Sequence, residues 1–88
     1  MEVVFFAGIK EYTDGITSVE IEPDCCPDLR SMISELGIRF GRELEAVLLG
    51  GERLLMLVNG KAVMSTGGLD TPLKQGDIIE ILPVAGAG

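Results

Sequence analysis

The chain has 88 residues, enough for one small domain near the size where a single core becomes marginal. Apolar residues make up 47% of it, which argues against intrinsic disorder, and 14 acids against 7 bases give a net charge of −7. That sign disfavours nucleic acid or an anionic membrane as a partner and suits a basic protein surface. The absence of His removes imidazole general-base chemistry, His-containing triads and most zinc sites.

Residues 2–7 predict a strand, because Val3, Val4, Phe5 and Phe6 are strong β formers. Thr13-Asp14-Gly15 predicts a turn, and residues 16–22 a second strand with one wet face, pairing with the first as a hairpin. Pro23 closes that strand. Asp28 suits the N-cap of a helix in which Leu29, Met32, Ile33 and Leu36 form one apolar stripe, with Gly37 as the expected stop. Residues 43–49 suit a short second helix ended by Gly50-Gly51.

Residues 53–59 return to strand character, apolar on both faces, and Asn59-Gly60 predicts a type I′ hairpin turn into a return strand over 61–64. A loop follows, then a single turn over 69–73. Gln75-Gly76-Asp77 launches a last strand over 78–82, which Pro83 should stop because it has no N–H for a sheet ladder. The expected architecture is α+β, with one main helix packed on one face of a mixed β-sheet. The first and last strands, having the most β-prone sequences, are expected side by side in the middle. The alternation then sets Val3 and Phe5 against Val4 and Phe6, and Ile79 and Ile81 against Ile78 and Leu82. One helix cannot cover both faces, so the far face is expected to carry an apolar, acid-rimmed patch that binds a protein.

Several features point away from other chemistries. The vicinal Cys25 and Cys26 are poorly placed for an ordinary bridge, and two thiolates alone complete neither a zinc site nor an iron–sulfur cluster, so no metal is expected. Gly50-Gly51, Gly67-Gly68 and Gly76 lack the Gly-Lys-Ser/Thr of a phosphate loop and read as loop punctuation. The start, MEVVFFAG, has an acid where a signal peptide carries bases, which predicts a cytoplasmic protein with no membrane span.

The end of the sequence is the most informative stretch. The domain is expected over residues 1–83 and a flexible tail over 84–88. Val84, Ala85, Gly86, Ala87 and Gly88 carry no side chain larger than Val, and five extended residues reach roughly 16 Å. Taken alone, such a tail fits two readings: a frayed end, or a thin thread that draws a terminal carboxylate into a partner's narrow site. A final Gly leaves that carboxylate open to activation and then to attack.

The whole pattern resembles the small subunit of molybdopterin synthase, within the ubiquitin-like β-grasp sulfur-carrier family that also holds the thiamine-biosynthesis carrier. The resemblance rests on Val3-Val4-Phe5-Phe6-Ala7, Ile9-Lys10-Glu11, the turn over 13–15 and Leu57-Val58-Asn59-Gly60-Lys61. It is most specific in Leu73-Lys74-Gln75-Gly76-Asp77-Ile78-Ile79-Glu80-Ile81-Leu82-Pro83-Val84-Ala85-Gly86. The segment over 39–51 is more like the molybdopterin branch than the shorter thiamine branch.

The resemblance implies a carrier rather than an enzyme. An E1-like partner adenylates the Gly88 carboxylate with ATP, and sulfur replaces AMP to give a thiocarboxylate. The large synthase subunit, or an equivalent acceptor, then takes that sulfur to build a molybdenum or tungsten pterin cofactor. ATP is used by the activating partner, and no cofactor is held permanently. Pro83, Val84, Ala85, Gly86 and Ala87 would thread into the partner, Phe6 would dock on it, and Lys61 would assist. The family tail ends Gly-Gly, whereas this one ends Gly86-Ala87-Gly88. Three readings follow: Gly88 works with a partner that accepts Ala, the carrier serves thiamine or another pathway, or the domain is a non-covalent ubiquitin-like interaction module.

Overall fold

The computed structural model describes residues 1–6, 8–50 and 54–83. Five strands form one sheet: β1 (Glu2–Phe5), β2 (Ser18–Glu20), β3 (Leu54–Val58), β4 (Lys61–Ala62) and β5 (Ile78–Pro83). Their order is β2-β1-β5-β3-β4. β1 and β5 pair in parallel at the centre, with Glu2 beside Ile78 and Phe5 beside Ile81; the other pairs are antiparallel. The expected central pairing of the first and last strands and the β1–β2 hairpin are both present.

Helix α1 (Leu29–Phe40) lies on one face, and α2 (Arg42–Gly50) packs beside it. Asp28 caps α1: Ser31 N donates to Asp28 Oδ1 at 2.9 Å, and Asp28 N donates to Ser31 Oγ at 3.2 Å. Leu29, Met32, Ile33 and Leu36 are fully buried against Val3, Phe5, Ile79 and Ile81, with Leu44 and Leu48 of α2 closing the core. Each such side chain contributes about 1.5–3 kcal/mol through burial. Phe5 meets Phe40 edge-on, ring centres 5.6 Å apart.

Several expected boundaries are corrected. Gly37 does not stop α1; it lies buried within it, and Gly41, at φ 116°, makes the break instead. The reason is packing, since a Cβ on Gly37 would stand 2.9 Å from Glu45 Cβ of α2. β2 is three residues long rather than seven, because the Thr13 hydroxyl donates to Ile16 O at 2.9 Å and keeps the strand's expected start in the loop. β4 also ends early: Val63 turns into the core and begins a short 3₁₀ helix, Val63–Ser65. A further 3₁₀ turn, Gly68–Asp70, replaces the single turn expected over 69–73. Asn59 and Gly60 have φ 53° and 84°, as the predicted hairpin turn requires. β5 includes Pro83, one residue past its expected end, paired with Leu54. Among the described residues, no helix is long and apolar enough to cross a membrane.

Candidate functional site

The two faces of the sheet differ, and the difference follows from strand alternation. Val3 and Phe5 of β1, and Ile79 and Ile81 of β5, point under the helices and are buried. In register with Ile79 and Ile81 stand Val58 and Met56 of β3 on the same face. The alternate residues, Val4, Leu82, Leu55 and Leu57, therefore share the face that no helix covers. All four are only half-buried. Phe6 and Ile78 extend this apolar surface and are 39% and 45% exposed.

Acids lie at one corner of the patch and inside it, rather than all round it as expected, because the alternation puts Glu80 on the central strand between Val4 and Leu57. Glu2, Glu20 and Glu80 lie on the same face by register, Glu2 opposite Glu20 and Glu80 opposite Leu57. An apolar surface that carries carboxylates at its centre and one corner is suited to a protein surface that is apolar with basic groups among its contacts.

β5 runs along the middle of this face and carries the chain to Pro83. Phe6 sits at the same end, because β1 and β5 are parallel and Phe6 N donates to Ile81 O at 3.0 Å. Phe6 and the base of the tail are thus brought together. Lys61 is not brought to them. It pairs with Val58, at the end of β3 opposite the Leu54–Pro83 pair, and shares Val58's helix-side face. There it lines a cleft of about 310 Å³ with Thr66, Thr71, Lys74 and Asp77. Val84, Ala85, Gly86, Ala87 and Gly88 lie outside the described residues.

Two cross-links fix the loop that launches β5. Asn59 Nδ2 donates to Asp77 Oδ1 at 2.8 Å, while Ile78 N donates to Asn59 Oδ1 at 3.0 Å. Lys74 N donates to Asp77 Oδ2 at 2.9 Å. Both turns are legible in the sequence, but their junction is a tertiary contact that no local pattern announces. The second cross-link ties the same loop to α1: Leu73 N donates to Pro27 O, and Leu29 N to Thr71 O.

The thiols occupy different environments. Cys25 is exposed and Cys26 is buried. Burial pushes the Cys26 thiol up from its ordinary value, helped by the nearby Glu35 carboxylate. Asp28 is displaced the other way: the Ser31 backbone N–H, followed by the Ser31 hydroxyl, holds its carboxyl below the usual aspartate range.

Comparison with known proteins agrees with this architecture. No curated protein sequence matches the chain. Among solved structures it is similar to CysO of Mycobacterium tuberculosis, described as an antigen, with 25% identity and a TM-score of 0.81 over 93% of this chain and 96% of that one. It is also similar to CysO in the Amycolatopsis orientalis BexX/CysO complex, with 26% identity and a TM-score of 0.82 over 99% and 98% of the two chains. The small archaeal modifier protein 1 of Methanosarcina acetivorans, 24% identical, shares the fold with a TM-score of 0.79 over 99% of this chain and 94% of that one. The ThiS family matches residues 3–88, so the match spans both the folded body and the small-residue tail. With its mixed sheet, helix-covered on one face, the chain belongs to the ThiS family of ubiquitin-like β-grasp sulfur carriers.

Proposed function

We propose that the protein carries sulfur on its terminal carboxylate for molybdenum or tungsten pterin cofactor synthesis, as the small subunit of a molybdopterin synthase. The observation that carries the sulfur-carrier part of this reading is the family match, which continues through the tail to Gly88; the segment over 39–51, more like the molybdopterin branch than the shorter thiamine branch, supports the acceptor. An E1-like enzyme adenylates the Gly88 carboxylate with ATP, because a carboxylate is a poor electrophile until it gains a good leaving group. Sulfur then displaces AMP, and the thiocarboxylate is handed to the large synthase subunit.

The folded body supplies docking and delivery in this scheme, while the partners supply catalytic groups. The open sheet face around Val4, Phe6, Leu55, Leu57 and Leu82 is the surface offered to them. The Amycolatopsis orientalis CysO is held in a complex with BexX, which supports a working state bound to a second protein.

A second acceptor, the thiamine pathway, fits the same carrier chemistry and the same family match. Tandem mass spectrometry separates loading from destination. The protein is incubated with an E1-like enzyme, ATP and a sulfur donor, and the tail peptide is sequenced. Replacement of oxygen by sulfur at Gly88 is the expected result. An unmodified tail, beside a Gly-Gly carrier labelled by the same enzyme, would leave a non-covalent docking module. The loaded protein is then offered separately to a molybdopterin synthase large subunit and to a thiazole-forming enzyme, and the one that removes the sulfur names the pathway.

A further inference from the structure

The Asn59-Gly60 turn joins two residues that can react with each other. In any Asn-Gly sequence the glycine amide nitrogen can attack the asparagine side-chain carbonyl carbon, because glycine has no Cβ to obstruct the approach. A new bond from Gly60 N to Asn59 Cγ closes a five-membered succinimide. The bond from Cγ to Nδ2 breaks, and Nδ2 leaves as ammonia with the proton given up by Gly60 N. Water then opens either carbonyl of the ring, giving aspartate or isoaspartate, so that one water is consumed for each ammonia released.

The backbone here permits that reaction and the side chain resists it. Gly60 is exposed, and apart from its own chain neighbours no heavy atom lies within 4 Å of the place where a Cβ would stand, so no tertiary contact shields the turn on that side. The Asn59 carboxamide, in contrast, is held at both ends. Its Nδ2 donates to the Asp77 carboxylate at 2.8 Å, and its Oδ1 accepts from Ile78 N at 3.0 Å. Turning Cγ toward Gly60 N requires both bonds to break, and the one to a charged acceptor is the stronger kind. Asp77 is itself fixed, only 7% exposed and accepting from Lys74 N.

We infer that Asn59 is a deamidation site whose reaction is held back by its clasp to Asp77. The product would also undo the clasp. An oxygen would replace the nitrogen that donates to Asp77 Oδ1, setting two carboxylates against each other where a hydrogen bond had been. Isoaspartate would go further, lengthening the backbone of the two-residue turn that sets the pairing of Val58 with Lys61.

The test follows the peptide containing Asn59 by tandem mass spectrometry while protein is stored at neutral pH and physiological temperature. Folded wild type, wild type in concentrated urea and folded Asp77→Ala are compared. Folded wild type should react about tenfold more slowly than the urea sample, the factor that loss of one hydrogen bond to a charged group supports. Asp77→Ala in native buffer should approach the urea rate. Equal rates for wild type in buffer and in urea would overturn the inference, whatever the variant does. A folded Asp77→Ala protein as slow as wild type would overturn it as well. If Asp77→Ala does not fold, Asp77→Asn keeps the acceptor oxygen without the charge and should fall between the two wild-type rates; a rate no faster than folded wild type would count against the clasp.

Discussion

Gly37 of α1 and Glu45 of α2 stand in direct contact: a Cβ built on Gly37 would lie 2.9 Å from Glu45 Cβ and 2.6 Å from Glu45 Oε1. The glycine is therefore what lets the second helix lie close beside the first. Gly37→Ala should gain about 1 kcal/mol of helix propensity and lose about 1–3 kcal/mol to overpacking, for a net loss on the order of 1 kcal/mol. Urea denaturation measures it. In a Glu45→Gly background the loss should shrink, and an unchanged penalty would show that this contact is not its source.

Neighbouring phenylalanines in β1 and just beyond it should respond oppositely to substitution. Phe5 is 2% exposed and packs on Phe40, so Phe5→Ala should cost about 3–5 kcal/mol, a large share of a small domain's stability. Phe6→Asp changes the open face instead. It should leave the far-ultraviolet dichroism and cooperative melting intact while weakening capture by an E1-like enzyme or an acceptor subunit. Loss of folding in Phe6→Asp would place that ring in the core.

These two residues illustrate what the sequence discloses. Alternation along β1 and β5 separates the buried face from the open one, and the β-prone ends of the chain point to a central pairing that the sheet order bears out. The end of α1 is not set by local sequence. A glycine after an apolar stripe is the usual stop signal, but Gly37 is needed at a close helix contact, and it is Gly41 that takes the positive φ which ends the helix. The difference is tertiary. Lys61 shows the same limit at the candidate site: its position after the Asn-Gly turn is local information, whereas its distance from Phe6 depends on the register of β3 with β5.

Acid should act on the start of α1. The folded-state pKa of Asp28 lies below its ordinary value of 3.8, so its contribution is present above that value and is lost as pH falls through the folded pKa. Asp28→Ala should lower Tm by a few degrees at neutral pH, and by less in acid, where the wild-type cap is already weakened. A difference in Tm that does not narrow below pH 3.8 would remove the charge from the explanation.

The two thiols should separate under alkylation. Iodoacetamide on native protein is expected to label exposed Cys25 rapidly and buried Cys26 only as fast as the structure opens, a difference that peptide mapping resolves. Both should react in urea. Equal native rates would mean that the segment before α1 opens without global unfolding.

The tail ending Gly86-Ala87-Gly88 supplies its own comparison. Ala87→Gly removes the one methyl that departs from a Gly-Gly ending and should leave Tm unchanged while raising the rate of sulfur loading. Removing Ala87 and Gly88 should also spare Tm and abolish sulfur loading, with none found on the new terminal residue, Gly86. A large fall in Tm on truncation would give those residues a structural role.

The central pairing of β1 with β5 also sets an order of events in time. Glu2 meets Ile78 and Phe5 meets Ile81, contacts that span nearly the whole sequence and must overcome a large loop-closure entropy before the middle of the sheet exists. During synthesis, Val3 and Phe5 wait for their partners until the last strand has been made. The segment that follows Pro83 comes later still, so the body that presents it is completed only by the strand to which it is attached.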